Sequence, residues 1–253
     1  MKTVIITGAS AGLGEEFAKQ INKKYKDIES FWLIARRRDK LESVAEVIGK
    51  DRCFCLPLDL TKEESYEELE KILIDTKPEV AMLINNAGFG KLGDFADVPL
   101  EQSIGQIDLN CKALTAVTGL ILPYMEKNSE IINISSIASF VPNARLAVYS
   151  STKAFVYSFS LALREELKPK SINVLAVCPG PMDTEFLGVA NIFTGSSKMF
   201  DTIPHINPVR VVRKAIRRSA KKKSVSTNLL FYKFYHLLSK LLPRTLLVKF
   251  TKV

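Results

Sequence analysis

This chain of 253 residues has no long hydrophobic run, few cysteines and only two histidines. No segment approaches the ~20 uninterrupted apolar residues of a membrane-crossing helix. Cys53, Cys55, Cys111 and Cys178 share no metal-ligand spacing. Cys53 and Cys55 sit in one apolar, strand-like segment, so buried free thiols are expected rather than a disulfide framework. His205 and His236 have no partnered acid or cysteine in the sequence, so neither is assigned to catalysis, and no metal is expected. The N-terminus enters a strand-like run directly, without the apolar core and small-residue cleavage site of a signal peptide. With 12 Gly, 11 Pro, 47% hydrophobic and 25% charged residues, disordered and collagen-like classes are excluded. One large domain in a reducing, cytoplasmic compartment is expected.

Acidic residues are missing altogether after residue 204. Thirteen of the 36 basic residues fall there, leaving 23 basic against 27 acidic residues in 1–204. The net charge of +9 therefore belongs to a basic tail on a mildly acidic body.

What is present is an alternation. Short, almost wholly apolar runs at 3–6, 31–35, 53–58, 80–84, 131–134 and 172–177 read as strands. Helical spacing fills 15–24, 39–48, 63–75, 102–125 and 147–167. Apolar strands alternating with amphipathic helices predict a doubly wound, Rossmann-type parallel α/β sheet with helices on both faces. Such a sheet binds ligands at the carboxyl ends of its strands.

The residues at those ends are informative. After the first run comes Thr7-Gly8-Ala9-Ser10-Ala11-Gly12-Leu13-Gly14. The G-x-x-x-G-x-G spacing departs from G-x-G-x-x-G. Glycines at a strand-to-helix turn still let backbone approach a pyrophosphate at a helix N-terminus. After the second run, where an acidic residue would hold ribose hydroxyls, stands Arg36-Arg37-Arg38. A guanidinium suits a ribose 2′-phosphate, so Arg36 first and Arg37 second point to NADP(H) rather than NAD.

Tyr149-Ser150-Ser151-Thr152-Lys153 puts a phenol and an ammonium on one helix face. A lysine one turn away, with a cationic nicotinamide, favours the phenolate and brings a pKa of about 10 nearer to working pH. The spacing alone is common. Its weight comes from Ser135-Ser136, which end one strand run, and from Asn85-Asn86-Ala87-Gly88, which end another. One serine can donate to a carbonyl oxygen, and the other can cap the following turn.

In this order the motifs resemble the short-chain dehydrogenase/reductase family in its compact form. The match runs from residue 3 to about 185: Thr7-Gly8-x-x-x-Gly12-x-Gly14, Asp59-Leu60, Asn85-Asn86-Ala87-Gly88, Asn110, Ser136, Tyr149-x-x-x-Lys153, and Pro179-Gly180 with Thr184. The family's serine-to-tyrosine interval selects Ser136. The resemblance implies that Tyr149 is the general acid/base, that Lys153 lowers its pKa and holds the nicotinamide ribose, and that Ser136 orients the substrate oxygen. Asn110 would position a water in a proton relay from Lys153. Gly8, Ser10, Gly12, Leu13, Gly14, Asp59, Leu60, Asn86, Ala87, Gly88, Pro179, Gly180 and Thr184 would complete the cofactor site, with Asp59 at the adenine, residues 86–88 at the adenosine-side ribose and Thr184 at the carboxamide.

Residues 1–204 are expected to form the catalytic domain, with a lid at about 183–204, and 205–253 a helical extension of it. The lid carries Phe186, Leu187, Val189, Ile192, Phe193, Met199 and Phe200, which favour an apolar carbonyl or alcohol such as a steroid or fatty-acyl group over a sugar. In 229–242 only Lys233, His236, Ser239 and Lys240 are polar, and they form one narrow face. The wide apolar remainder must be covered. A subunit interface or the protein's own substrate mouth is the first expectation; an anionic membrane surface is the second. Nucleic acid is excluded for want of a reading helix or stacking platform. The expected protein is a homo-oligomeric, dimeric or tetrameric, NADP(H)-dependent alcohol dehydrogenase or carbonyl reductase. Its rivals are a 3-oxoacyl thioester reductase and a non-catalytic NADP(H)-sensing protein.

Overall fold

The computed structural model describes residues 1–193, 195 and 197–251, with only the backbone at 198, 199 and 250. The Met199 side chain assigned to the lid lies outside the described residues. Seven parallel strands form one sheet in the order β3-β2-β1-β4-β5-β6-β7. They are β1 (Lys2–Thr7), β2 (Ser30–Ile34), β3 (Cys53–Leu56), β4 (Glu79–Asn85), β5 (Met125–Ile134), β6 (Asn173–Val177) and β7 (Val225–Ser226). The strand order reverses between β1 and β4, and the crevice opens at their carboxyl ends.

Helices cover both faces, as the unbroken burial of β2 and β6 requires. On one side α1 (Gly12–Lys24), α2 (Arg38–Ile48) and α9 (Pro208–Ala220) bury Phe17, Leu41 and Val212 against the sheet. On the other, α3 (Glu64–Thr76), α5 (Leu114–Ile121) and α6 (Ala147–Leu167) bury Leu69, Val117 and Leu163. Helix α4 (Leu100–Ile107) reaches α5 through a π-helical stretch, Asp108–Ala113. The lid holds α7 (Glu185–Val189) and α8 (Lys198–Thr202); α10 (Leu230–Leu241) and α11 (Arg244–Leu247) close the chain.

Two elements differ from expectation. Strand β5 begins at Met125, before the expected start at Ile131, and the apolar pattern misses its first half because Glu126-Lys127-Asn128 is polar and exposed. Strand β7 is two residues long in a Lys- and Ser-rich stretch, and only its pairing with Ala176 and Val177 makes it a strand. The basic run after residue 208 is no loose appendage: Val211, Val212, Ala215 and Ile216 of α9 join the main core.

Candidate active site

The glycine loop is held open from below. Gly8 has φ 64° and Gly12 φ 58°, values that L side chains rarely adopt. Asn86 Nδ2 donates to the carbonyls of Thr7 (3.1 Å) and Gly8 (3.0 Å), while Thr7 Oγ1 accepts from the amides of Asn86 and Ala87, each at 3.0 Å. The end of β1 is thus tied to the end of β4. An added Cβ on Gly14 would lie 2.2 Å from the Gly8 carbonyl oxygen, so Gly14 packs behind the loop. Helix α1 starts at Gly12 with Ala11 at its cap, and that methyl side chain satisfies none of the first-turn N–H groups. A glycine cradle at an uncapped helix N-terminus fits a pyrophosphate.

The three positions after β2 and β3 divide the charge. Arg37 donates to Glu185 Oε2 at 2.8 Å and to Ser10 Oγ at 3.3 Å, bridging the crevice to α7. Arg36 lines the same cleft, is exposed and has no ion-pair partner among the described residues. Asp59 accepts from the Thr61 amide (3.1 Å) and hydroxyl (2.8 Å). Burial works against its charge, but the Thr61 donors and nearby Arg36 outweigh it and hold the carboxyl below its ordinary range.

At the far end of the cleft the Tyr149 phenol lies beside Ser136, which favours its ionised form. Ser136 also accepts from the Ala138 amide (3.1 Å), whereas Ser135 donates to the Lys153 carbonyl (2.8 Å) inside the fold. Lys153 is 5% exposed, donates to the Ile134 carbonyl at 2.9 Å, and stands 5.8 Å from the Tyr149 ring centroid. Burial depresses its pKa to about 8. Burial also pushes Tyr149 up to about 12, against the hydrogen bond from Ser136. Burial dominates both groups, raising the phenol and depressing the ammonium.

Asn110 lies behind the cleft in the π-helical stretch. Its Nδ2 donates to Phe89 O (2.8 Å) and Thr152 Oγ1 (2.9 Å), and its Oδ1 accepts from Phe89 N (3.0 Å). The side chain is thus engaged at both ends, fixing the π-helical stretch to Phe89 and α6. A Cβ on Gly88 would lie 2.7 Å from Asn110 Oδ1 and 3.2 Å from Lys153 Nζ, so Gly88 brings these two groups close together.

One cleft of about 570 Å³ is lined by Gly8, Ser10, Gly12, Leu13, Arg36, Arg37, Asp59, Leu60, Asn86, Ala87, Gly88, Ser136, Tyr149, Lys153, Pro179, Gly180 and Thr184. Gly14 and Asn110 are the predicted site residues outside that lining. At the substrate end Tyr149 and Phe186 have ring centroids 5.6 Å apart, and Leu92, Leu146, Ala190 and Ile192 form a small apolar cluster beside them.

Several lining or supporting residues escaped sequence reasoning. A Cβ on Gly90 would meet the Tyr149 ring at 2.7 Å, so this glycine sets the position of the phenol. Lys91 and Tyr235 line the cleft although no motif marks them. A Cβ on Gly180 would meet the Tyr232 ring at 2.4 Å, so Gly180 also seats the tail. The acid missing for His205 in the sequence is Asp183, 22 positions away: Nδ1 and Oδ1 are 2.6 Å apart, and Nε2 is 3.1 Å from Phe200 O.

That clasp joins the start of the lid to α8. The hydrogen bond to Asp183 raises the His205 pKa above its ordinary value, with the Phe200 carbonyl and the Asp183 and Asp201 charges acting in the same direction. A raised folded-state value means that the imidazolium's contribution is complete below about pH 6.5 and is lost as pH rises through the folded pKa. Substrate KM is therefore expected to climb in the wild type as pH rises above about 6.5 and to stay flat in His205→Gln. Parallel profiles for the two proteins would remove His205 from lid closure.

The fold and the site define an oxidoreductase. The family model described as short chain dehydrogenase matches residues 2–192, and the chain belongs to that family. An uncharacterised oxidoreductase of Staphylococcus aureus (strain MRSA252) is 30% identical over 192 residues, 75% of this chain and 82% of its own length. A short-chain dehydrogenase from Sphingobium yanoikuyae, solved in complex with NADPH, superposes with a TM-score of 0.81 at 27% identity, covering 98% of this chain and 96% of its own. A 3-ketoacyl-(acyl-carrier-protein) reductase from Brucella melitensis, complexed with NADH, gives 0.76 at 27% identity, covering 89% and 96%.

Proposed function

We propose that this protein reduces the carbonyl, or oxidises the secondary alcohol, of an apolar substrate with NADP(H). The observation that carries the reading is the set of buried Ser136, half-buried Tyr149 and buried Lys153 at one end of a cleft whose other end offers Arg36, a guanidinium with no ion-pair partner among the described residues. When bound, the nicotinamide supplies or accepts the hydride. Ser136 and Tyr149 present two hydroxyls to the substrate oxygen, and Tyr149 passes it a proton. Lys153 supports the developing phenolate by charge, and the apolar cluster around Leu146 and Ala190 excludes water from the reacting carbon.

Arg36 supports the choice of NADP(H), since Arg37 is already occupied by Glu185 and Ser10. Arg36→Asp replaces a phosphate-binding cation with a carboxylate that accepts from ribose hydroxyls. The ratio of kcat/KM for NADPH over NADH is expected to fall roughly tenfold to a thousandfold. A wild-type protein that already prefers NADH would overturn the assignment.

Lys91 favours a second reading. It lies between Gly90, which packs on Tyr149, and Leu92, whose amide bonds to Ala190 of the lid at 3.0 Å. A cation there suits an apolar acyl chain delivered by an acidic carrier, as in a 3-oxoacyl thioester. A homodimer through the exposed Ile104 and Ile107 of α4 and Phe155 of α6 completes the proposal; Phe155 stacks on Phe159 there, with centroids 5.8 Å apart.

A further inference from the structure

Helix α10 is mounted with its aliphatic side outward. Leu230, Phe234, Leu237 and Leu241 recur at intervals of four, three and four, one stripe of a helix. They are 79%, 60%, 53% and 70% exposed. The other side is anchored. Tyr232 is buried against Gly180 and donates to the Pro204 carbonyl at 2.6 Å. Tyr235 lines the cleft, and His236 stacks on Phe140 with centroids 4.2 Å apart and bonds to the Tyr157 hydroxyl at 3.1 Å. The polar residues read from the sequence as one narrow face are therefore split. Lys233 and Lys240 are exposed, while His236 packs on the fold. This inverts the usual surface helix, whose apolar stripe faces the core.

We propose that this face seats the protein on an anionic lipid surface. The stripe is about 16 Å long and flanked by Lys233 and Lys240, with exposed Arg244 and Lys249 beyond it. No acidic residue follows Asp201 in the sequence. A second copy of the chain fits worse: a two-fold contact would bring these cations towards those of the other copy, with no carboxylate after Asp201 to pair them. A lipid surface suits both features, taking the apolar side chains into the headgroup–acyl boundary and the lysines to the phosphates. Tyr235 faces the cleft from the same helix, so the bilayer would lie about 10 Å, one helix diameter, from the substrate end. Direct transfer of an apolar substrate from lipid to cleft rests on the function proposed above; the docking does not.

The test is co-sedimentation of the full chain with phosphatidylcholine vesicles, pure or containing about 30% phosphatidylserine, at about 0.1 M and about 1 M salt. Binding is expected with the anionic vesicles at low salt and should weaken severalfold at high salt or without phosphatidylserine. Phe234→Ser with Leu237→Ser, both exposed and outside the cleft lining, should lower it at least tenfold while reduction of a small water-soluble ketone continues unchanged. Lys233→Glu with Lys240→Glu should lower anionic binding roughly tenfold or more. Protein that stays in the supernatant, or binds neutral vesicles equally well at both salts, overturns the proposal. So does an oligomer that dissociates in Phe234→Ser/Leu237→Ser, which would make the face a subunit interface. Vesicle binding without any carbonyl reduction would sink the proposed reaction and leave the docking intact.

Discussion

Tyr149→Phe is expected to lower kcat for carbonyl reduction by about 10²–10⁴ while NADPH binding, read by fluorescence titration, stays near the wild-type value. The substitution removes one oxygen and keeps the ring. Contacts that position the ring persist: Gly90 lies against one face, and Phe186 tilts beside it at 5.6 Å. The loss is therefore assignable to the proton and not to a collapsed pocket. Because burial raises the phenol to about 12, Tyr149 is protonated throughout the neutral range, the form that reduction needs. At saturating substrate, kcat for reduction should stay flat from about pH 6 to 8, whereas kcat for alcohol oxidation, which needs the phenolate, should rise with pH. Near-native reduction by the phenylalanine variant would exclude Tyr149 as the proton donor.

Lys153→Met is expected to lose roughly a hundredfold or more in turnover and yet to fold more stably than the wild type. Depression of the lysine from 10.5 to about 8 corresponds to a gross cost of about 3 kcal/mol for holding its charge in a buried site. Methionine fills the same channel without charge but forfeits the bond from Nζ to the Ile134 carbonyl, worth about 1 kcal/mol. The balance is about 2 kcal/mol, or roughly 4–8 °C in Tm for a chain of this size. The sign follows from linkage. A lysine whose folded pKa is depressed is penalised fully below about pH 8, and the penalty disappears as pH rises towards its unfolded value. The difference in stability between variant and wild type should thus be largest near pH 7 and vanish above about pH 10.5. Equal stability at pH 7 would mean that the ammonium is fully compensated where it stands.

Much of this architecture is legible in the sequence because its signals are local. Apolar runs such as Val4-Ile5-Ile6 and Val174-Leu175-Ala176-Val177 can only be central parallel strands, since each is buried on both faces. The glycines at 8 and 12 report a backbone conformation, and Tyr149 with Lys153 reports a shared helix face; both are properties of a few consecutive residues. The place of the crevice, at the carboxyl ends of the strands, then follows from the parallel topology, whereas the strand order is known only from the pairing itself.

What tertiary structure alone decided involves partners far apart in the chain. Arg36 and Arg37 look alike in sequence, but Glu185, 148 positions away, takes one and leaves the other without an ion-pair partner among the described residues. Asp183 gives His205 the acid it lacked, and burial set Tyr149 and Lys153 at protonation states their helical spacing cannot encode. The orientation of α10 is the plainest case. Its composition shows a wide apolar face and a narrow polar one, but which faces inward depends on the fit of Tyr232 against Gly180 and of His236 against Phe140. Periodicity states that two faces exist; only packing against distant surfaces chooses between them.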